Sequence, residues 1–150
     1  MTTSHDVRTS PLEVVRRFHD AEAQFLTSDG SQMPSFEGIL HPDFVLYEPA
    51  SGPYGGQWRG EQGLARFLRT MHADWSDQGP TSPPRLLVDS DTVVVLATLT
   101  ATFRATQQVV VFPVCQVVHV RDGLVLDSSV YYWDPTEVND ILGGKSPDDR

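Results

Sequence analysis

The chain has 150 residues, of which 39% are hydrophobic and 9% aromatic. That describes one globular domain able to bury roughly 70% of the surface its unfolded chain exposes. Twenty acidic residues against eleven basic ones leave a net charge of −9, which repels phosphate backbones and anionic lipid and so argues against nucleic-acid and membrane partners.

The N-terminus, MTTSHDVRTS, is polar and reads as neither a signal peptide nor a span. A loose segment over residues 1–9 gives way to Ser10-Pro11-Leu12-Glu13, a capping-box pattern with proline at the first helical position. Val14, Val15, Phe18, Ala21 and Phe25 then recur at helical spacing, which predicts an amphipathic helix to about Leu26. At 100° per residue, Glu22 falls about 40° from Phe18, inside the apolar stripe. A polar loop, a short turn over Phe36 to Leu40 and the breaker His41-Pro42-Asp43 follow.

Phe44 to Tyr47 reads as a first strand, ending on Glu48-Pro49 and a glycine-rich loop. A second helix is expected from about Glu61 to Trp75, burying Leu64, Phe67, Leu68, Met71 and Trp75, with a loop over Asp77 to Pro84. The rest is β-rich: Arg85–Val88, Thr92–Ala105, Val109–Val120 and Leu124–Trp133, with Arg121-Asp122-Gly123 as a hairpin turn. Asp134-Pro135-Thr136-Glu137 caps a short helix to Leu142, and residues 143–150 read as a loose tail. The whole, residues 1–150 with a core of about 11–142, is a single α+β domain.

Within Thr92–Ala105, Val95, Ala97, Leu99, Ala101 and Phe103 form one apolar face, whose alanines leave room for a ligand. Val109–Val120 is apolar on both faces and so needs two covers. A second copy of the chain is one of them, expected over Phe112, Val114 and Val118 beside Thr98, Thr100 and Thr102.

The element order, with LHPDFVLYEP, PYGGQWRG and the closing YYWD, resembles the nuclear transport factor 2-like superfamily. The nearest branches are the SnoaL-like polyketide cyclases and the ketosteroid isomerases. The resemblance implies a cone-shaped barrel in which a strongly curved, mostly antiparallel sheet wraps a long N-terminal helix around an apolar pocket. It also implies a homodimer paired through the outer face of the sheet.

By this resemblance Glu48 occupies the place of the isomerase's base aspartate, which is likewise followed by proline. The isomerase's oxyanion donors do not carry over: Val14-Val15-Arg16-Arg17 leads into Phe18, and Pro113-Val114 into Cys115. Phenylalanine donates no hydrogen bond and a thiol donates weakly, which argues against steroid isomerisation.

The candidate catalytic residues are therefore Glu48, Tyr132 as hydrogen-bond donor to a developing oxyanion, and Glu22. The candidate substrate-binding residues are Phe18, Tyr54, Trp58, Phe67, Met71, Trp75, Leu99 and Cys115. Cys115 reads as a small wall residue rather than a nucleophile. His19, His41 and His72 lack metal-binding spacing and read as solvated or capping, while phosphate-binding glycine motifs are missing, so no metal or cofactor is expected. The lone cysteine and missing signal peptide point to the cytoplasm.

Two functions stay open. One is proton-transfer chemistry on an apolar, carbonyl-bearing molecule, by a cyclase, isomerase or dehydratase of polyketide or other secondary metabolism. The other is non-catalytic binding of an apolar small molecule, or a dimeric scaffold.

Overall fold

The computed structural model describes residues 9–142; apart from Thr9, the tails expected at 1–9 and 143–150 lie outside the described residues. Helix α1 (Pro11–Leu26) is followed by β1 (Leu40–Glu48), β2 (Gly56–Arg59), α2 (Gly60–Asp74), β3 (Trp75–Pro80), β4 (Arg85–Asp89), β5 (Thr92–Phe103), β6 (Val109–Arg121), β7 (Leu124–Tyr132) and α3 (Thr136–Ile141). Ser10 caps α1 by accepting from the Glu13 N–H, as the capping pattern predicts. The predicted stripe of Val14, Val15, Phe18, Ala21 and Phe25 is the buried face of α1.

Seven strands form one mixed sheet in the order β2-β1-β7-β6-β5-β3, with β4 on the same edge of β5 as β3. Pairing is antiparallel except for β1 on β7, which run parallel. The sheet is open rather than closed, since β2 and β3 end it without pairing to each other. Fold class and helix placement match the expectation from sequence; the barrel is an unclosed one.

Three elements differ from the sequence reading. β1 starts at Leu40 and passes through the expected breaker, with a register shift between Leu40 and Val45 that leaves Pro42 free of the ladder. β2 forms within the glycine-rich loop by pairing Val45–Glu48 with Gly56–Arg59. Trp75 ends α2 in extended conformation and opens β3, an edge strand that slips register between Ser76 and Gly79 around Asp77 at φ 52°.

The face of β6 is also corrected. Phe112, Val114 and Val118, expected between subunits, point to the concave side and pack in or against the core. Val109, Val111, Pro113, Cys115 and Val117 point outward. A strand apolar on both faces carries no parity of its own, so neighbouring elements decide it.

The concave side of the sheet holds α1 and α2. Phe18 meets Phe36 and Phe44 edge-on at ring separations of 6.3 and 5.8 Å, and Trp75 meets Phe103 at 5.2 Å. Each such buried ring contributes about 1.5–3 kcal/mol. α2 lies on β2 so closely that a Cβ at Gly63 would sit 2.8 Å from the Trp58 carbonyl carbon. Gly63→Ala should therefore lose about 1–3 kcal/mol in chemical denaturation, although alanine is the better helix former. Gln62→Ala, on the exposed side of α2, should leave stability within about 0.5 kcal/mol, which separates the clash from helix propensity.

Candidate active site

Between α1, α2 and the concave sheet lies a cavity of about 550 Å³. It is open space rather than a core filled by side chains, large enough for a small-molecule ligand. Most of the wall is apolar: Phe67 and Met71 from α2, Leu99 and Ala101 from β5, Phe112 from β6, Val130 from β7.

The polar groups gather where α1 crosses the ends of β1 and β7. Parallel pairing sets Leu46 beside Ser128 and Tyr47 beside Ser129. Glu48 thus reaches the same concave face as Ser128, Val130 and Tyr132. Pro49 directs the chain away, biasing Glu48 to an extended conformation. Glu48 is 8% exposed, and the Tyr132 hydroxyl donates to its Oε1 over 2.9 Å. Glu22, one turn beyond Phe18 on α1, lines the same cavity and makes no hydrogen bond or ion pair among the described residues. By accessible surface it is half-buried in the cavity wall.

Burial pushes the Glu48 carboxyl up to about 8, with the Tyr132 hydrogen bond pulling the other way. Burial, then the nearby charge of Glu48, pushes Glu22 up to about 8. Burial, followed by the charge and hydrogen bond of Glu48, holds the Tyr132 hydroxyl well above 10.0, so it stays protonated. Because a donor favours the charged form of its acceptor, Glu48 is the first of the two carboxyls to ionise.

The structure brings Glu48, Tyr132 and Glu22 together. Phe18, Tyr54, Phe67, Met71, Trp75 and Leu99 join them in the cavity wall. The Tyr54 hydroxyl donates to Asp74 over 2.7 Å and accepts from the Trp75 indole N–H over 2.8 Å, so its ring faces the cavity while its oxygen is engaged. Two expected residues do not line this cavity. Trp58 stands behind the wall, its ring against Phe67 at 5.4 Å and its indole N–H donated to the Tyr54 carbonyl. Cys115 lies on the outward face of β6, because its neighbours Val114 and Gln116 take the inward positions.

Sequence reasoning missed Phe112, Ser128 and the pair His19 and Gln116, all in the lining. His19 Nε2 lies 3.0 Å from Gln116 Oε1, and burial lowers its pKa below 6.5, so it is neutral at pH 7. Its spacing of three from Glu22 was the available signal, since both then share a helix face. Among the described residues no cluster of His, Cys, Asp or Glu could hold a metal, and no helix is long and apolar enough to cross a membrane.

A family model described as a SnoaL-like domain matches residues 15–128. No curated protein matches the chain by sequence. Similar solved structures include a nuclear transport factor 2-like protein of unknown function from Burkholderia pseudomallei, at 18% identity and TM-score 0.72, covering 88% of this chain and 96% of that one. A protein from Jannaschia sp. CCS1, provisionally described as a SnoaL-like polyketide cyclase, matches at 16% identity and TM-score 0.70, covering 93% and 96%. One from Bacillus subtilis, provisionally described as an isomerase, matches at 15% and 0.71, covering 92% and 99%. At these identities the likeness is one of fold.

The two raised carboxyls also set a pH dependence of stability. Glu22 ionises at 4.5 when unperturbed and at about 8 in the fold, so the folded chain binds more protons between these values. Its contribution is full below pH 4.5 and is lost as pH rises through 8. Glu22→Gln removes that loss. Relative to the parent chain, its stability should climb between pH 5 and pH 9 by on the order of 2–4 kcal/mol. Thermal unfolding across this range reads it, and a constant difference would show that Glu22 is not held out of water.

Proposed function

We propose that this chain, which belongs to the SnoaL-like domain family, is a cofactor-independent enzyme moving protons on an apolar, carbonyl-bearing molecule. The observation that carries this reading is Glu48, buried at the end of an apolar cavity and held by the Tyr132 hydroxyl. A carboxylate in such a place is a stronger base than one in water, and its poise near neutrality suits general base catalysis. Ionised Glu48 would take a proton from carbon beside the carbonyl. Protonation weakens Glu48 as an acceptor, and the enolate oxygen, carrying the charge, then competes for the Tyr132 hydroxyl. Return of the proton to another atom completes an isomerisation; attack of the enolate on a second carbonyl, with the proton returned from Glu48 to the alkoxide so formed, completes a cyclisation. Cyclase or isomerase chemistry of polyketide or related secondary metabolism fits this site, as does a cytoplasmic address.

Glu48→Gln keeps the shape and removes the base. Turnover of an identified substrate should fall by about 10²–10⁴, with folding intact. In the parent chain kcat/KM should rise with pH, reach half its plateau near 8 and level off above that, because the active form is the ionised one. Full activity in Glu48→Gln would place the base elsewhere in the cavity, with Glu22 next in line. The second reading is a binding protein for an apolar small molecule. That reading is supported by Tyr132 being occupied by Glu48 at rest.

The proposed assembly is a homodimer through the outer face of the sheet. That face carries Leu96 at 36% exposed, Val111 and Tyr131 at 58% and Trp133 at 84%, an apolar patch unusual for a monomer. Sedimentation should give about twice 16.7 kDa. Tyr131→Asp should return the mass to that of one chain; a monomeric parent would remove the proposal.

A further inference from the structure

We propose that the molecule taken into the cavity bears a protonated amine, and that the Glu22 carboxylate holds its ammonium group. The inference rests on the proton-transfer reading and names the substrate class of the same site.

The first ground is a pair of carboxyl groups on one cavity with no ion pair to either among the described residues. Glu22 and Glu48 face one cavity, near enough for the charge of one to act on the other, and Glu22 has no hydrogen-bond partner among the described residues. No ion pair joins either carboxyl to another titratable group of the lining among the described residues. Arg16 and Asp20 of α1 are exposed at the rim, His19 of α1 is neutral against Gln116, and Tyr54 and Tyr132 are phenols. A purely hydrocarbon ligand would leave Glu22 with nothing to bond, and an anion would further oppose ionisation of the pair. An ammonium satisfies both carboxyls.

The wall is suited to the rest of such a molecule. Phe18, Tyr54, Phe67, Trp75, Phe112 and Tyr132 surround the space with aromatic rings, which attract a cation by their faces and hydrocarbon by their area. Ser128, in the same wall and 1% exposed, has a hydroxyl with no hydrogen-bond partner among the described residues. A buried hydroxyl left unpaired is costly, and a ligand N–H would meet it.

The arrangement also couples binding to chemistry. Burial pushes the Glu48 carboxyl up to about 8 and so favours its protonated form. An ammonium beside the pair favours ionisation of both carboxyls, so the substrate itself would switch on the base.

The test uses the full chain and two probes of one shape, N,N-dimethylphenethylamine and its uncharged isostere isopentylbenzene, followed at pH 7 by calorimetry and tryptophan fluorescence. The amine should bind at least tenfold more tightly, and calorimetry in buffers of different ionisation enthalpy should show protons released with the amine but not with the isostere. Glu22→Gln should abolish the tenfold preference and leave isostere affinity unchanged, while Glu22→Asp, which keeps the charge, should retain part of it. Equal binding of both probes would overturn the amine inference and leave the apolar-pocket enzyme standing. Binding of neither probe would overturn both.

Discussion

Parallel pairing of β1 with β7 is the constraint from which the site follows. Glu48 and Tyr132 are 84 residues apart in the chain. They meet because β1 lies beside β7 in a register that sends both side chains to the concave face. Parallel neighbours cannot be joined by a tight turn, and here the connection takes up α2 and most of the sheet. Antiparallel pairing at this seam would run β1 the other way and carry Glu48 to the far end of β7. The 2.9 Å hydrogen bond is thus a product of topology, and the buried carboxyl at the end of β1 is tolerable because of it.

Part of this architecture was legible in the sequence. The α1 stripe and the alternation of β5 each repeat a single period long enough to be unambiguous, and Glu22 stood out as a carboxylate inside an apolar stripe. β6 was not read correctly from its central residues, which are apolar on both faces. Its polar end held the answer: His119 and Arg121 are exposed while Val118 and Val120 are buried, and Cys115 shares their parity. β2 and β3 were hidden for another reason. Their glycines and Pro80 suit loops, and only pairing to β1 and β5 makes them strands. Trp58 was drawn towards the site by its aromatic neighbours, yet its indole N–H is committed to the backbone of Tyr54.

The site stands on regular elements. Glu22 projects from the middle of a capped helix, and Glu48 and Tyr132 stand at the ends of strands inside the sheet. Side chains so placed inherit the rigidity of the backbone, as preorganised chemistry requires. Other parts of the lining come from Pro83 and Pro84 between β3 and β4, and from Pro135 at the start of α3 and Val138 within it.

A single hydrogen bond separates two otherwise similar carboxyl groups. Both are buried in the same cavity and both are pushed up to about 8. Glu48 alone receives a donor, so its negative form is the better stabilised, and once formed that charge further opposes ionisation of Glu22. Two carboxyls with one donor between them therefore behave as an ordered pair, a base that ionises first and an acid that holds its proton longer. Apolar side chains in both positions would make a more stable core, since neither carboxyl gains a cation from the protein. Buried carboxyls held at such a cost mark a candidate binding or catalytic site rather than a packing element.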